Sequence, residues 1–300
     1  MALLNPPELR ASMMCVIVCY LAQCRGQRDD VARIIDAVSP PSLTDAPQKH
    51  QLDASRNLMS AVEMGLAVRE NDRIKLSAES TKAARKGTSA VTVVLRQRVL
   101  SEDLNNAPWG SQEGARDLTN ALAWFLTFSA VRAPVRMEGS PPSAKSLQEA
   151  DFGPRHSDDD DGSGWPISNP TRWNAFQRWA CSLGFAWRSP SGRLVPDPTP
   201  AIRDSLPAIF SGEVTLEGES FIAALGEQLP VLETGTHRRL VEQNWSRSSR
   251  AGDALSAATT DALWRLETTG HLTFEDRADA PRVTRDDGST FSHVSSGRLQ

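Results

Sequence analysis

Apolar residues recur at three- and four-residue spacing in RWNAFQRWACSL, residues 172–183, so that Trp173, Phe176, Trp179 and Ala180 fall on one stripe of a helix. Gly184 closes that helix, as glycine commonly does at a helix C-terminus. Phe185–Trp187 then reads as a strand, Ser189-Pro190-Ser191-Gly192 as a turn, and Arg193–Val195 as a returning strand that Pro196 ends. The same order occurs in RNLMSAVEMGLAVRENDRIKLS, residues 56–77, with Gly65 as the helix stop and Asn71-Asp72 as the hairpin turn. It occurs again over Thr260–Arg285, where Gly270 ends the helix and HLTFEDRADAPRVTR carries two short strands around a polar loop. A helix followed by a β-hairpin, with two shorter helices before it, is the plan of a winged helix, a helix-turn-helix variant. The expected fold class is therefore mainly α with small β-hairpins (α+β), arranged as tandem winged-helix domains over residues 1–90, 91–211 and 212–300.

In chain order, Pro6-Pro7-Glu8 starts an apolar helix over Leu9–Gln23, and Arg28–Ala37 forms a second helix with Val31, Ile34 and Ile35 inward. The third starts near Asp53 and buries Leu58, Met59, Val62 and Met64. The periodicity of Val91–Leu100 fits helix or strand, and a connecting helix is taken. Ala115–Val131 reads as a long helix opening the second unit, with Ser143–Ala150 as its short second helix. Gly139–Asn169 carries four prolines and the run Asp158-Asp159-Asp160-Asp161, which predicts a mobile acidic loop. Thr199–Phe210 is a helical tail of the second unit. Glu219–Gln228, Gly235–Trp245 and Thr259–Thr269 supply the helices of the third, and Phe291 with Val294 suits an added edge strand.

Composition narrows the class. The 300 residues are 39% hydrophobic with a formal net charge of −4, so any nucleic-acid contact must be local. Positive charge is almost all arginine, since the lysines are Lys49, Lys75, Lys82, Lys86 and Lys145 alone. Planar guanidinium suits bidentate contact to phosphate or guanine. The longest apolar run, Met13–Ala22, is short of the roughly 18–20 residues that span a bilayer. No basic leader or small-residue cleavage site accompanies it, and four cysteines make no disulfide framework, so a cytoplasmic protein is expected.

Candidate chemistry is sparse. Cys15 and Cys19 lie one helical turn apart, but no second ligand pair completes a zinc site, and buried core thiols are expected. His237 beside Arg238-Arg239 reads as a solvated face. The acidic run lacks the shaped loop a hard cation needs. There is no Gly-Lys-Ser/Thr, no nucleophile elbow and no acid pair with a following lysine, which points to a non-enzymatic protein with no cofactor, no metal and no small-molecule substrate.

Charge separates the three units more usefully. Residues 172–196 carry Arg172, Arg178, Arg188 and Arg193 against no acid. Between Lys49 and Ser77, five cations (Lys49, Arg56, Arg69, Arg73 and Lys75) oppose Asp53, Glu63, Glu70 and Asp72, a net of +1. Between Thr259 and Thr284, Arg265, Arg277 and Arg282 oppose five acids, a net of −2. Those nine cations of the first two units are the candidate contacts to double-stranded DNA, and residues 212–300 the candidate contact to other proteins. The alternatives are a scaffold that does not touch DNA and a transcriptional regulator.

The opening ALLNPPE with its apolar helix, together with RWNAFQRWACSLGFAW, resembles the DpdG-like accessory proteins encoded with bacterial systems that place 7-deazaguanine derivatives in DNA and restrict foreign DNA. The resemblance implies a phage-defence setting and partners from the same gene cluster, among them helicase- or nuclease-like components. It supplies no catalytic residues.

Overall fold

The computed structural model describes residues 2–5, 8–43, 45–111, 113–154, 164–246 and 254–297. Within them the chain is mainly helical with small antiparallel sheets. Pro6 and Pro7, and the acidic run Asp158–Asp161, lie outside the described residues.

The first apolar stripe forms α1 (Ala11–Gln23), which buries Met14, Ile17, Val18 and Leu21. The second helix begins later than the sequence suggests. Arg28–Asp30 is taken as strand β1, and α2 runs over Val31–Val38. After α3 (Pro47–Glu63) come β2 (Ala67–Glu70) and β3 (Arg73–Leu76). Pairing of Asp29 with Ile74 and of Val68 with Lys75 puts the strands in the order β1-β3-β2. Proline at the first position lets α3 start six residues before Asp53, because its missing N–H would have had no partner there. Leu58 and Met64 are buried as expected, while Met59 and Val62 are half-buried.

Next come α4 (Ala78–Lys86) and α5 (Thr88–Leu100), so the ambiguous VTVVLRQRVL stretch is helix. Helix α6 (Arg116–Phe125) is shorter than the apolar pattern predicts, and all ten of its residues are buried. The chain turns at Ser129, whose carbonyl accepts the N–H groups of Arg132 and Ala133, and Val131 is left exposed beyond the core. Helix α7 (Ala144–Phe152) forms where the short helix Ser143–Ala150 is expected, within the Gly139–Asn169 segment also read as a loop, and is capped reciprocally by Ser143 and Ser146. Asn169 caps α8 (Pro170–Ser182), which leads into the two-stranded pair β4 (Ala186–Arg188) and β5 (Leu194–Pro196).

The remaining elements are α9 (Thr199–Phe210), β6 (Thr215–Glu217), α10 (Gly218–Gln228), α11 (Thr236–Gln243), α12 (Ala257–Thr268), β7 (Leu272–Glu275), β8 (Val283–Thr284), β9 (Thr290–Phe291) and β10 (His293–Ser296). Here the expected hairpin is corrected. Strand β7 pairs with β10, and β8 pairs with β9. Pro281 has no N–H to give a ladder, whereas the proline-free His293–Ser296 can pair along both edges, with β7 on one side and β6 on the other. The expected edge strand is also corrected, because β10 lies in the centre of the order β6-β10-β7 with Val294 fully buried. Helix α9 packs on α10 and α12, with Phe210 and Phe221 rings 5.9 Å apart.

One device ends three of the helices. A left-handed glycine lets the next residue's N–H reach back to the carbonyl five residues earlier, satisfying an orphan acceptor of the last turn. The bonds are Leu66 to Ala61 at 3.0 Å, Phe185 to Ala180 at 2.9 Å and His271 to Leu266 at 2.8 Å. Gly65, Gly184 and Gly270 hold φ of +72°, +79° and +74°. Each helix is thereby turned into the strand that follows it. Among the described residues, no helix is long and apolar enough to cross a membrane.

Candidate nucleic-acid interface

The nine cations singled out in the sequence occupy unlike environments. Lys49 is exposed on the first turn of α3, and Arg56, further along it, reaches Glu8 at 3.4 Å. On the β2–β3 hairpin, Arg73 bonds Asp30 at 2.9 Å, Lys75 faces Glu70 at 3.4 Å, and Arg69 donates to the Asn71 carbonyl. Acids therefore answer much of this hairpin's positive charge, across exposed pairs worth little each. In the second unit, Arg172 is buried beside Asp117. Arg193 donates to the carbonyls of Val131 at 2.6 Å and Ala133 at 3.3 Å, holding the chain after α6 onto the β4–β5 pair. The cations of the third unit are also answered, with Arg277 on Glu275 at 2.8 Å, Arg282 on Asp276 at 2.7 Å and Arg265 on Asp197 at 3.0 Å.

Arg178 and Arg188 do come together, and a third guanidinium joins them. Packing of α1 against α8 leaves a groove of about 490 Å³ between the first turn of α1, the outer face of α8 and strand β4. Arg10, Arg178 and Arg188 line it with Trp187, and among the described residues none that lines it is acidic. Burial and the nearness of Arg10 and Arg188 push the Arg178 guanidinium below its ordinary pKa. Arg188 is also within hydrogen-bonding reach of the Cys181 thiol, which burial pushes up. The N-terminal turn of α1 adds the positive end of a 13-residue helix to the same wall. Sequence reasoning missed Arg10, which fell inside the expected helix Leu9–Gln23, whereas α1 starts at Ala11 and leaves Arg10 at its N-cap. It read Trp187 only as part of the strand Phe185–Trp187. Trp187 is 44% exposed, against 4% for Trp173 and 0% for Trp179.

Two further expectations change. His237 is buried, because α11 packs its His237, Arg238 and Val241 face onto α6. Its Nε2–H donates to the Leu100 carbonyl at 3.1 Å and its Nδ1 accepts from Arg116 at 3.4 Å. Burial, with Arg116 opposing a second positive charge, pulls its pKa down to about 4, so the imidazole is neutral at pH 7. A cleft of about 850 Å³ opens beside it, where Arg116 and Arg239 are balanced by Glu102 and Glu227. Such a lining exerts little net pull on a polyanion. Cys15 and Cys19 are half-buried and line an apolar groove between α1, α2 and α5.

The two segments that carry the family resemblance meet in space. The main-chain N–H groups of Leu3 and Leu4 donate to the Asp117 carboxylate at 3.1 and 2.7 Å, and Arg172 supplies the countercharge. A family model described as DpdG-like matches residues 1–280. The chain belongs to the DpdG-like family. Membership points to a part in a Dpd modification system. No curated protein and no solved structure matches the chain. In this DpdG-like chain the matched residues include the Asp117 anchor, the groove at Arg178 and the neutral His237.

Proposed function

We propose that this DpdG-like protein is a non-catalytic, cytoplasmic DNA-binding subunit of a Dpd modification system, built from winged-helix units. The order α1-β1-α2-α3-β2-β3 with sheet order β1-β3-β2 supports the first unit. The third repeats it as α9-β6-α10-α12-β7-β10 with sheet order β6-β10-β7, with α11 inserted between its second and third helices. On this reading α9 opens the third unit, so the boundary falls near residue 199 instead of 212. The second unit has only the two-stranded β4–β5 wing.

The observation that carries the proposal is the convergence of Arg10, Arg178 and Arg188, from three elements, on one groove whose lining among the described residues holds no acid. Mutual repulsion of three guanidiniums is relieved when phosphates enter between them. Fluorescence anisotropy of a labelled duplex of about 30 base pairs across a salt series tests this, since the slope counts about 0.9 per phosphate neutralised. Replacing all three arginines with alanine is expected to lower that slope by about 2–3. An unchanged slope rules out this groove, and no binding at low salt rules out DNA contact altogether.

The ion-paired β2–β3 hairpin and the acid surplus of the third unit favour a second role as a contact for other subunits. Partners that stay bound at high salt, with no DNA retained at low salt, would make scaffolding the whole function.

A further inference from the structure

We propose that the groove between α1, α8 and β4 takes an unpaired nucleotide, its base stacked on Trp187 and its flanking phosphates held by Arg10, Arg178 and Arg188. This rests on the DNA-binding reading and goes beyond it in naming the form of DNA.

The argument starts from what a duplex can offer. Paired and stacked bases present only their edges in the grooves, so an aromatic face has nothing to stack on unless a base leaves the helix. Proteins that hold single strands combine a cationic track with aromatic platforms. Both parts are here. Of the six tryptophans of the second unit and its approach, Trp124, Trp165, Trp173 and Trp179 are at most 8% exposed, and Trp109 packs on Phe152 with ring centroids 5.7 Å apart. Trp187 alone among them is 44% exposed, in a cavity wall that it shares with three guanidiniums. A tryptophan held half in water on a strand, when its neighbours Phe185 and Ala186 are buried, has an open apolar face that burial elsewhere did not claim.

Size points the same way. The groove measures about 490 Å³, within the range of about 300–1,000 Å³ found for pockets that hold single small ligands. That suits one nucleotide turned out of its strand. The walls also divide the work: the indole offers a π-face, while the first turn of α1 and the arginines offer donors to phosphate oxygens. Among the described residues the lining contains no carboxylate to repel the backbone.

The test compares three labelled DNAs with the full-length protein at one salt concentration: a 30-base-pair duplex, the same duplex with a short single-stranded gap at its centre, and a thymidine homopolymer of equal length. Gapped and single-stranded DNA are expected to bind at least about tenfold more tightly than the duplex. Trp187→Ala should abolish that preference while leaving the salt slope intact, and Trp187→Phe should keep part of it. Equal affinity for gapped and intact duplex, or a preference that survives Trp187→Ala, overturns the inference while leaving duplex binding in place. Absence of binding to all three DNAs at low salt overturns the DNA-binding reading itself. Circular dichroism of both variants separates a lost contact from a lost fold.

Discussion

Asp117 accepts the main-chain N–H of Leu4 at 2.7 Å, although 113 residues separate them. Its carboxylate also takes the N–H groups of Leu3 and Leu118, and it is fully buried, so burial raises its pKa in spite of the three donors and Arg172. Replacing it with alanine leaves three N–H groups without their acceptor and removes the carboxylate beside the buried Arg172 guanidinium. Asp117→Ala is expected to cost about 3–5 kcal/mol of stability, as removal of one partner of a buried charge network does. Urea denaturation gives the loss, and limited proteolysis should cut near the N-terminus faster than in the parent.

Arg96 gives a second long-range tie. Only 2% exposed, it donates to the Leu183 carbonyl at 2.9 Å and to Asp204 at 3.0 Å, joining α5 to the end of α8 and to α9. Arg96→Met is expected to destabilise by about 3 kcal/mol, while Asp204→Asn costs less because Asp204 has water access. Thermal unfolding of the two variants should rank them in that order.

The glycine stops predict unequal costs. Both Gly65 and Gly184 have positive φ, which a β-carbon penalises by about 1–2 kcal/mol. A β-carbon at Gly184 would also come within 3.2 Å of Arg96 Nη1 and of Pro200, whereas at Gly65 it meets only the Arg98 head group at 3.8 Å. Gly184→Ala should therefore be the more damaging of the two, and equal midpoints in urea would contradict the packing argument.

His237 sets a pH dependence with a definite sign. Its folded pKa of about 4 lies below the ordinary histidine value of about 6.5. Above pH 6.5 both folded and unfolded forms are neutral and stability is intact. Between pH 6.5 and 4 the unfolded chain takes up a proton that the folded chain refuses, which removes about 3 kcal/mol by the lower limit. His237→Gln should flatten that part of the stability profile, measured by urea midpoints at pH 7 and pH 4.5.

Arg188 and Arg193 should separate DNA contact from architecture. Arg188→Ala is expected to lower the salt slope of DNA binding by about 1 with little change in stability. Arg193→Ala should do the reverse, costing about 1–3 kcal/mol because it loses two carbonyl acceptors on the Val131–Ala133 turn.

The helices and their stops were legible because their causes are local. Apolar spacing over Trp173, Phe176 and Trp179 and a glycine at residue 184 act within a few residues, and the structure carries them out with a carbonyl five residues back. The family resemblance was legible too, in short segments that later proved to touch through Asp117 and Arg172. Strand pairing in the third unit was not. Pairing of β7 with β10 depends on a loop that folds separately as β8 and β9, and nothing in the HLTFE segment names its partner.

The candidate groove divides along the same line. By itself the sequence determined which residues carry positive charge and that residues 172–196 hold four arginines without an acid. Only tertiary structure decided which guanidiniums face water, because that depends on what lies across from each one: Asp117 beside Arg172, two carbonyls beneath Arg193, and Arg10 and Arg188 near Arg178. Charge is a property of a residue, but the groove exists because α1 packs on α8, and that contact joins residues more than 150 positions apart.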